Sequence, residues 1–161
     1  MKNQEIKYLK HAIELAKESV KKGGFPAGAV VIKGGKVVSE GISIGNILHD
    51  PTSHAETAAI REACKKLNTS NLEGCTLYES LQSCVMCFSV AYWAGISRIV
   101  YASKKTSEMI SKFYYEGSTD NKKLNKENNR EIELIYVPDL GKDSLDIVRE
   151  WENSNDIKTE D

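Results

Sequence analysis

The chain has 161 residues, which suits one domain with a proper core. Apolar residues make up 40% and charged residues 28%, the balance of a soluble globular protein, and no apolar run approaches the length of a membrane span. The formal net charge of -1 argues against a nucleic-acid binder, whose footprint is basic.

The N-terminus, MKNQEIKYLKHAIELAK, alternates charged and apolar residues, so it reads as a helix and not a signal peptide. A cytoplasmic protein is expected. Over residues 3–22, Ile6, Leu9, Ile13, Ala16 and Val20 recur at spacings of three and four, and Gly23-Gly24 stop the helix. AGAVVIKGGKVVSEG follows as a β-hairpin turning at Gly34-Gly35. Residues 43–53 are loop-like. A second helix is expected from His54 to Leu67, with Ala58, Ala59, Ala63 and Leu67 as its apolar stripe. Residues 76–80 read as a strand, 84–94 as a helix closed by Gly95, and 97–102 as another strand. A short helix is expected over 106–113, an exposed polar loop over 116–131, a strand over 132–137 and a helix over 143–152. Residues 1–153 then form a single domain and 154–161 a frayed tail. The order implies an α/β fold, a three-layer α-β-α sandwich around a single mixed five-stranded sheet with helices on both faces.

Four unevenly placed cysteines, Cys64, Cys75, Cys84 and Cys87, are not a disulfide scaffold in a chain this long. The Cys84-x-x-Cys87 pair admits four readings: a redox couple, half of a structural zinc site, part of a catalytic zinc site, or core packing. A structural site needs a second CxxC or an HxxxH, and the chain has neither. His11 falls in the first helix as a surface or boundary residue, and His49 in a loop. His54 stands in DPTSHAETAAI, where Thr52 or Ser53 serves as N-cap, so that His54 and Glu56 occupy the first turn of a helix. Cys84 opens another helix, with Ser83 as its cap, and positions i and i+3 share a face. Two helix N-termini at one end of a sheet can thus deliver an imidazole and two thiolates, leaving a fourth position for water. Two thiolates neutralise the ion, so a nearby carboxylate base gains importance, and Glu56 is the candidate. Ser53-His54-Ala55-Glu56 also matches a capping box, in which Glu56 only bonds back to the cap.

At these residues the chain resembles the zinc-dependent deaminases of nucleobases and nucleosides, whose signature is H-x-E followed by P-C-x-x-C. The resemblance spans roughly residues 5–115. It is nearest the branch of guanine deaminases and tRNA adenosine deaminases, and it implies a cytidine deaminase-like fold. It implies that His54, Cys84 and Cys87 hold one zinc ion with a catalytic water, and that zinc-bound hydroxide displaces ammonia from an aminated ring. Glu56 would take and return the protons. Backbone N–H groups at Ala55 and near Cys84 would bond the substrate's polar edge. The expected activity is hydrolytic deamination of a small aminated heterocycle, a purine such as guanine.

The departures concern the substrate. Gln82-Ser83 replace the family's Glu-Pro, and Ser43 stands where an asparagine commonly holds the substrate. Tyr114 and Tyr115, with Glu116 and Asp120 close by, stand where guanine deaminases carry aspartates. Ser43, Tyr115 and Glu116 are therefore candidate substrate contacts. Trp93 either walls the pocket or packs in the core, and Phe25 either stacks on a base or anchors its loop. Gly23-Gly24 terminate a helix and are no phosphate cradle. The alternative of a tRNA adenosine deaminase would draw on Lys104, Lys105, Lys122, Lys123 and Lys126, but the segment from Asp143 onward is acidic. A non-catalytic zinc-containing interaction module is the alternative of another class. The branch also implies a homodimer, with Trp151 and the last helix covering a pocket.

Overall fold

The computed structural model describes residues 2–155. In chain order the elements are α1 (Lys2–Lys21), β1 (Phe25–Lys33), β2 (Lys36–Ser43), α2 (Gly45–Leu48), α3 (Ala55–Leu67) and β3 (Cys75–Leu81). They continue with α4 (Val85–Trp93), β4 (Arg98–Ser103), α5 (Ser107–Ser111), α6 (Asn121–Glu127) and β5 (Glu133–Tyr136). A short 3-10 turn (Pro138–Leu140) leads into α7 (Gly141–Ser154). The strands form one sheet in the order β2-β1-β3-β4-β5. β1 is antiparallel to both β2 and β3, whereas β3, β4 and β5 run parallel, so the sheet is mixed.

Side-chain alternation explains the three layers. In β1, Val30 and Ile32 join Leu9, Ile13 and Ala16 of α1 on one face. Ala29 and Val31 join Ala59, Ala63 and Phe88 of α3 and α4 on the other. β4 divides likewise, Val100 and Ala102 against Ile99 and Tyr101. Both faces of the central strands are buried, which is why their sequences read as nearly unbroken apolar runs. The β1–β2 hairpin turns at Gly34 and Gly35, whose φ values of 55° and 76° suit the tight turn that matches strand twist. Among the described residues no helix is long and apolar enough to cross a membrane.

Several expectations shift. Residues 116–131 are not all loop. Asp120 caps α6 by accepting the Lys122 N–H at 2.9 Å, and Asn121, Leu124 and Asn125 turn inward. The buried positions are asparagines, so no apolar periodicity betrays the helix. Residues 45–48 add a single turn, α2, in the loop before α3. The buried stripe of α3 is Ala55, Ala59, Ile60 and Ala63, while Leu67 at the far end is exposed. α5 stops at Ser111, and Phe113 takes a φ of 60°. Of the expected tail over 154–161, Ser154 still belongs to α7, and residues 156–161 lie outside the described residues. His11 pairs with Glu40 at 2.8 Å, joining α1 to β2.

The placement of α3 depends on Gly41 in β2. A Cβ there would collide with the carbonyl oxygen of Ala55 and lie 2.6 Å from the Ala59 nitrogen. Only hydrogen at this position lets the first turn of α3 lie directly on the strand. Gly41→Ala is expected to lift that turn and cost about 2–3 kcal/mol by overpacking, read as a lowered midpoint in chemical denaturation. A wild-type midpoint would show that α3 is seated by other contacts.

Candidate active site

The N-termini of α3 and α4 meet beside the end of β3. The sequence puts His54 and Cys84 in the first turns of their helices, and the structure does not. Each is itself the N-cap, with φ/ψ of -75°/163° and -68°/170°. Neither Ser53 nor Ser83 caps. The Ser53 hydroxyl accepts from Arg61, and the Ser83 hydroxyl bonds Glu79. An N-cap residue has extended backbone, so its side chain leaves the helix end instead of lying along its flank. That one-residue shift aims the imidazole and the first sulfur at each other.

His54 Nδ1 lies 3.6 Å from Cys84 Sγ and 3.5 Å from Cys87 Sγ, and the two sulfurs are 3.4 Å apart. A tetrahedral zinc ion with Zn–S about 2.3 Å and Zn–N about 2.0 Å sets its donors about 3.5–3.8 Å apart. The spacing and the His/Cys/Cys chemistry fit that ion. These three are the group among the described residues whose donor atoms converge tightly enough to hold a metal. Cys87 Sγ also lies 3.3 Å from Glu56 Oε2, so the carboxylate stands directly beside the donor set. The capping box does not form.

The electrostatics follow from burial and from the helix ends. The Cys84 sulfur takes hydrogen bonds from the Cys87 thiol and its amide and faces His54, which draws its pKa down to about 5. Cys87, donating to Cys84 and fully buried, is pushed up. His54 is raised, first through its bond with Cys84. Glu56, 5% exposed, is raised chiefly by desolvation and next by the Cys84 charge.

A cleft of about 510 Å³ opens over this group. Its lining includes His54, Glu56, Cys84, Phe25, Ser43, Tyr114, Tyr115 and Glu116. The Phe25 ring packs on Tyr114 at 5.1 Å and on Trp151 of α7 at 5.3 Å. Phe25 thus both anchors its loop and faces the cleft. Tyr115 is buried, and its hydroxyl donates to Gln82 O at 2.7 Å. Glu116 accepts the amides of Val85 and Met86 at 2.6 and 3.3 Å, a carboxylate at the positive end of α4.

One expected contact is not at the cleft. Trp93 is 82% exposed and absent from its walls, since α4 begins at the ligands and carries its last residue away from them. It is not in the core either. Its ring lies nearly perpendicular to that of Tyr92, with the centroids 5.8 Å apart. Ala55 is wholly buried beside Gly41, and the group expected from it, its backbone N–H, stands at the start of α3. Sequence reasoning missed Met86 and Phe113 on the rim and Glu79 and Asn121 behind it. The one signal for Glu79 was an acid inside the apolar run TLYESL.

The geometry agrees with what the chain resembles. The model of the cytidine and deoxycytidylate deaminase zinc-binding region matches residues 2–103. A guanine deaminase of Bacillus subtilis is 38% identical over 132 residues, 81% of this chain and 81% of that protein. A tRNA-specific adenosine deaminase of Aquifex aeolicus is 40% identical over 108 residues, 66% of this chain and 72% of the relative. The solved guanine deaminase of Nitrosomonas europaea shares the fold, with a TM-score of 0.80 at 23% identity over 91% of this chain and 83% of that one.

The low Cys84 pKa has a direct readout. In chelator-treated protein at pH 7, iodoacetamide should label Cys84 well before Cys87, and zinc should suppress the labelling. The thiolate stabilises the fold fully above the unfolded thiol value of 9.0, and that contribution is lost as pH falls through about 5. Equal labelling of the two thiols would contradict this assignment. The mixed five-stranded sheet, the H-x-E and C-x-x-C helix ends and the matched relatives together place this chain in the cytidine and deoxycytidylate deaminase family, as a hydrolytic deaminase of the branch that includes guanine and tRNA adenosine deaminases.

Proposed function

We propose that this enzyme removes the exocyclic amine of a small aromatic heterocycle, a purine base such as guanine, by hydrolysis. The net change is replacement of the ring C–NH2 by C=O, with one water consumed and one ammonia released. His54, Cys84 and Cys87 would hold one zinc ion per chain. Bound there, zinc would supply Lewis acidity and acidify the attacking water. Glu56 accepts the proton of that water and returns protons to a ring nitrogen and to the leaving nitrogen. Its carboxylate, buried at the foot of an open cleft and 3.3 Å from a ligand sulfur, is the observation that carries this reading. Phe25 and Tyr114 offer flat apolar walls to a planar ring, and Ser43, Tyr115 and Glu116 stand where its polar edge would fall.

A second reading, deamination of adenosine in tRNA, is favoured by the similar identity to the Aquifex relative. The acidic C-terminal segment favours the small molecule. We also propose a cytoplasmic homodimer, supported by the exposed Trp93 on α4. A monomer in sedimentation equilibrium would refute that part.

Glu56→Ala is expected to keep zinc and fold while lowering kcat by about 10²–10⁴. Retained turnover would remove Glu56 from the chemistry, and absence of turnover in both proteins would favour a binding module. Because burial raises Glu56, kcat/KM should fall as pH is lowered through a value above the usual carboxylate range. Ammonia release from a panel of free bases, nucleosides and related aminated heterocycles, run beside tRNA, identifies the substrate. Inosine in tRNA with every small compound intact would overturn the preference.

A further inference from the structure

Every polar group of Ser83 is held from behind the site. Glu79 Oε2 accepts the Ser83 N–H at 2.9 Å, and Glu79 Oε1 takes the Ser83 hydroxyl. The side-chain amide of Asn121 donates to Ser83 O at 2.7 Å. Glu79, Ser83 and Asn121 are 0%, 2% and 2% exposed. They come from three separate parts of the fold: β3, the turn after it and α6. Ser83 immediately precedes Cys84, so whatever sets its backbone sets where the first sulfur points.

This is also where the chain leaves the P-C-x-x-C pattern, with serine in place of proline. Proline fixes φ near -65° and has no N–H to satisfy. Serine does neither: its φ is free, and its buried amide and hydroxyl need partners. A carboxylate buried in a central strand is equally costly without donors. Glu79 shares its face of β3 with Leu77 and Leu81, the face on which α3 and α4 pack. Serine at 83 and glutamate at 79 therefore each supply what the other lacks.

We propose that Glu79 and Asn121 are positioning residues that replace the missing proline, clamping the Ser83 turn so that Cys84 Sγ stays within reach of His54 and Cys87. The proposal rests on the assignment of those three residues as metal ligands. Glu79 and Asn121 line neither the cleft nor the smaller pocket beside it, and both bond directly to Ser83.

The test uses full-length protein stripped of metal and reloaded with zinc or cobalt(II). Zinc affinity is read by chelator competition, and thiolate-to-cobalt charge transfer by absorption. Ser83→Ala and Glu79→Gln should each weaken zinc binding by about tenfold and shift the charge-transfer band. Each variant also removes a buried hydrogen-bond partner, so the metal-free melting temperature should fall by a few degrees, and the zinc affinity and cobalt spectrum carry the test. Ser83→Pro restores the family residue yet should weaken binding at least as much, because it strips Glu79 of both donors. Adding Glu79→Leu to Ser83→Pro should recover most of the loss, a coupling that independent sites would not show. The proposal is overturned if the double variant shows no recovery. It is also overturned if Ser83→Ala and Glu79→Gln lower only the metal-free melting temperature, with zinc affinity and cobalt spectrum unchanged. Should Ser83→Pro fail to fold, those two milder variants decide the matter. Wild-type protein that takes up neither metal would instead refute the ligand assignment beneath the proposal.

Discussion

The site exists because two helix N-termini are forced to one point at the end of the sheet. Gly41 lets the first turn of α3 press onto β2, and the short Gln82-Ser83 step carries the chain from β3 straight into α4. Both helices then present an N-cap side chain, His54 and Cys84, from nearly the same extended backbone. Both also direct their positive ends toward the gap between them. The Cys87 thiol, His54 and the Cys87 amide, all bonding to the Cys84 sulfur, draw its pKa down to about 5. Glu56 sits two residues after His54 and is too deeply buried to ionise as readily as a surface acid. One geometric fact thus brings a His/Cys/Cys group and a buried carboxylate together.

The surroundings divide into a rigid floor and an individual roof. The floor belongs to strands and to the helix starts, and its residues carry the family signature. The roof is drawn from later parts of the chain. Lys112 and Tyr114 both meet Glu152 of α7, at 2.9 and 2.8 Å, which ties the loop after α5 to the last helix. Trp151, Phe25 and Tyr114 close together over the cleft. Lys105 holds the 117–119 segment through two carbonyls and lies over the Tyr115 ring. The cleft is thus walled by two groups of residues, the strand and helix ends below and the aromatic cluster above, and Asn121 and Glu116 from the later segment reach back to the start of α4.

Much of this was readable in advance. The hairpin, the long helices and all five strands follow from periodicity and from the glycines between them. His54, Glu56, Cys84 and Cys87 stand out because few residue types serve zinc and a proton, and because H-x-E and C-x-x-C spacing is seldom accidental. What stayed hidden has a common cause. α6 buries asparagines, and Glu79 is a buried acid, so polarity there signals internal hydrogen bonding and not exposure. Trp93 differs for another reason: a large apolar side chain stands in water at the end of a helix, where the resemblance of AYWAG suggested a pocket wall.

The linear order of residues decided the element types, the layer architecture and the identity of the reactive groups, because these depend on local periodicity and on which side chains can ligate or carry protons. Only the folded chain decided that His54 and Cys84 are caps and not first-turn residues, and that Glu56 lies against Cys87 Sγ and not back on Ser53. It also brought residues 79, 83 and 121 together behind Cys84. Those outcomes depend on where separate elements meet, to within an ångström, and no spacing along one segment encodes the contact between two.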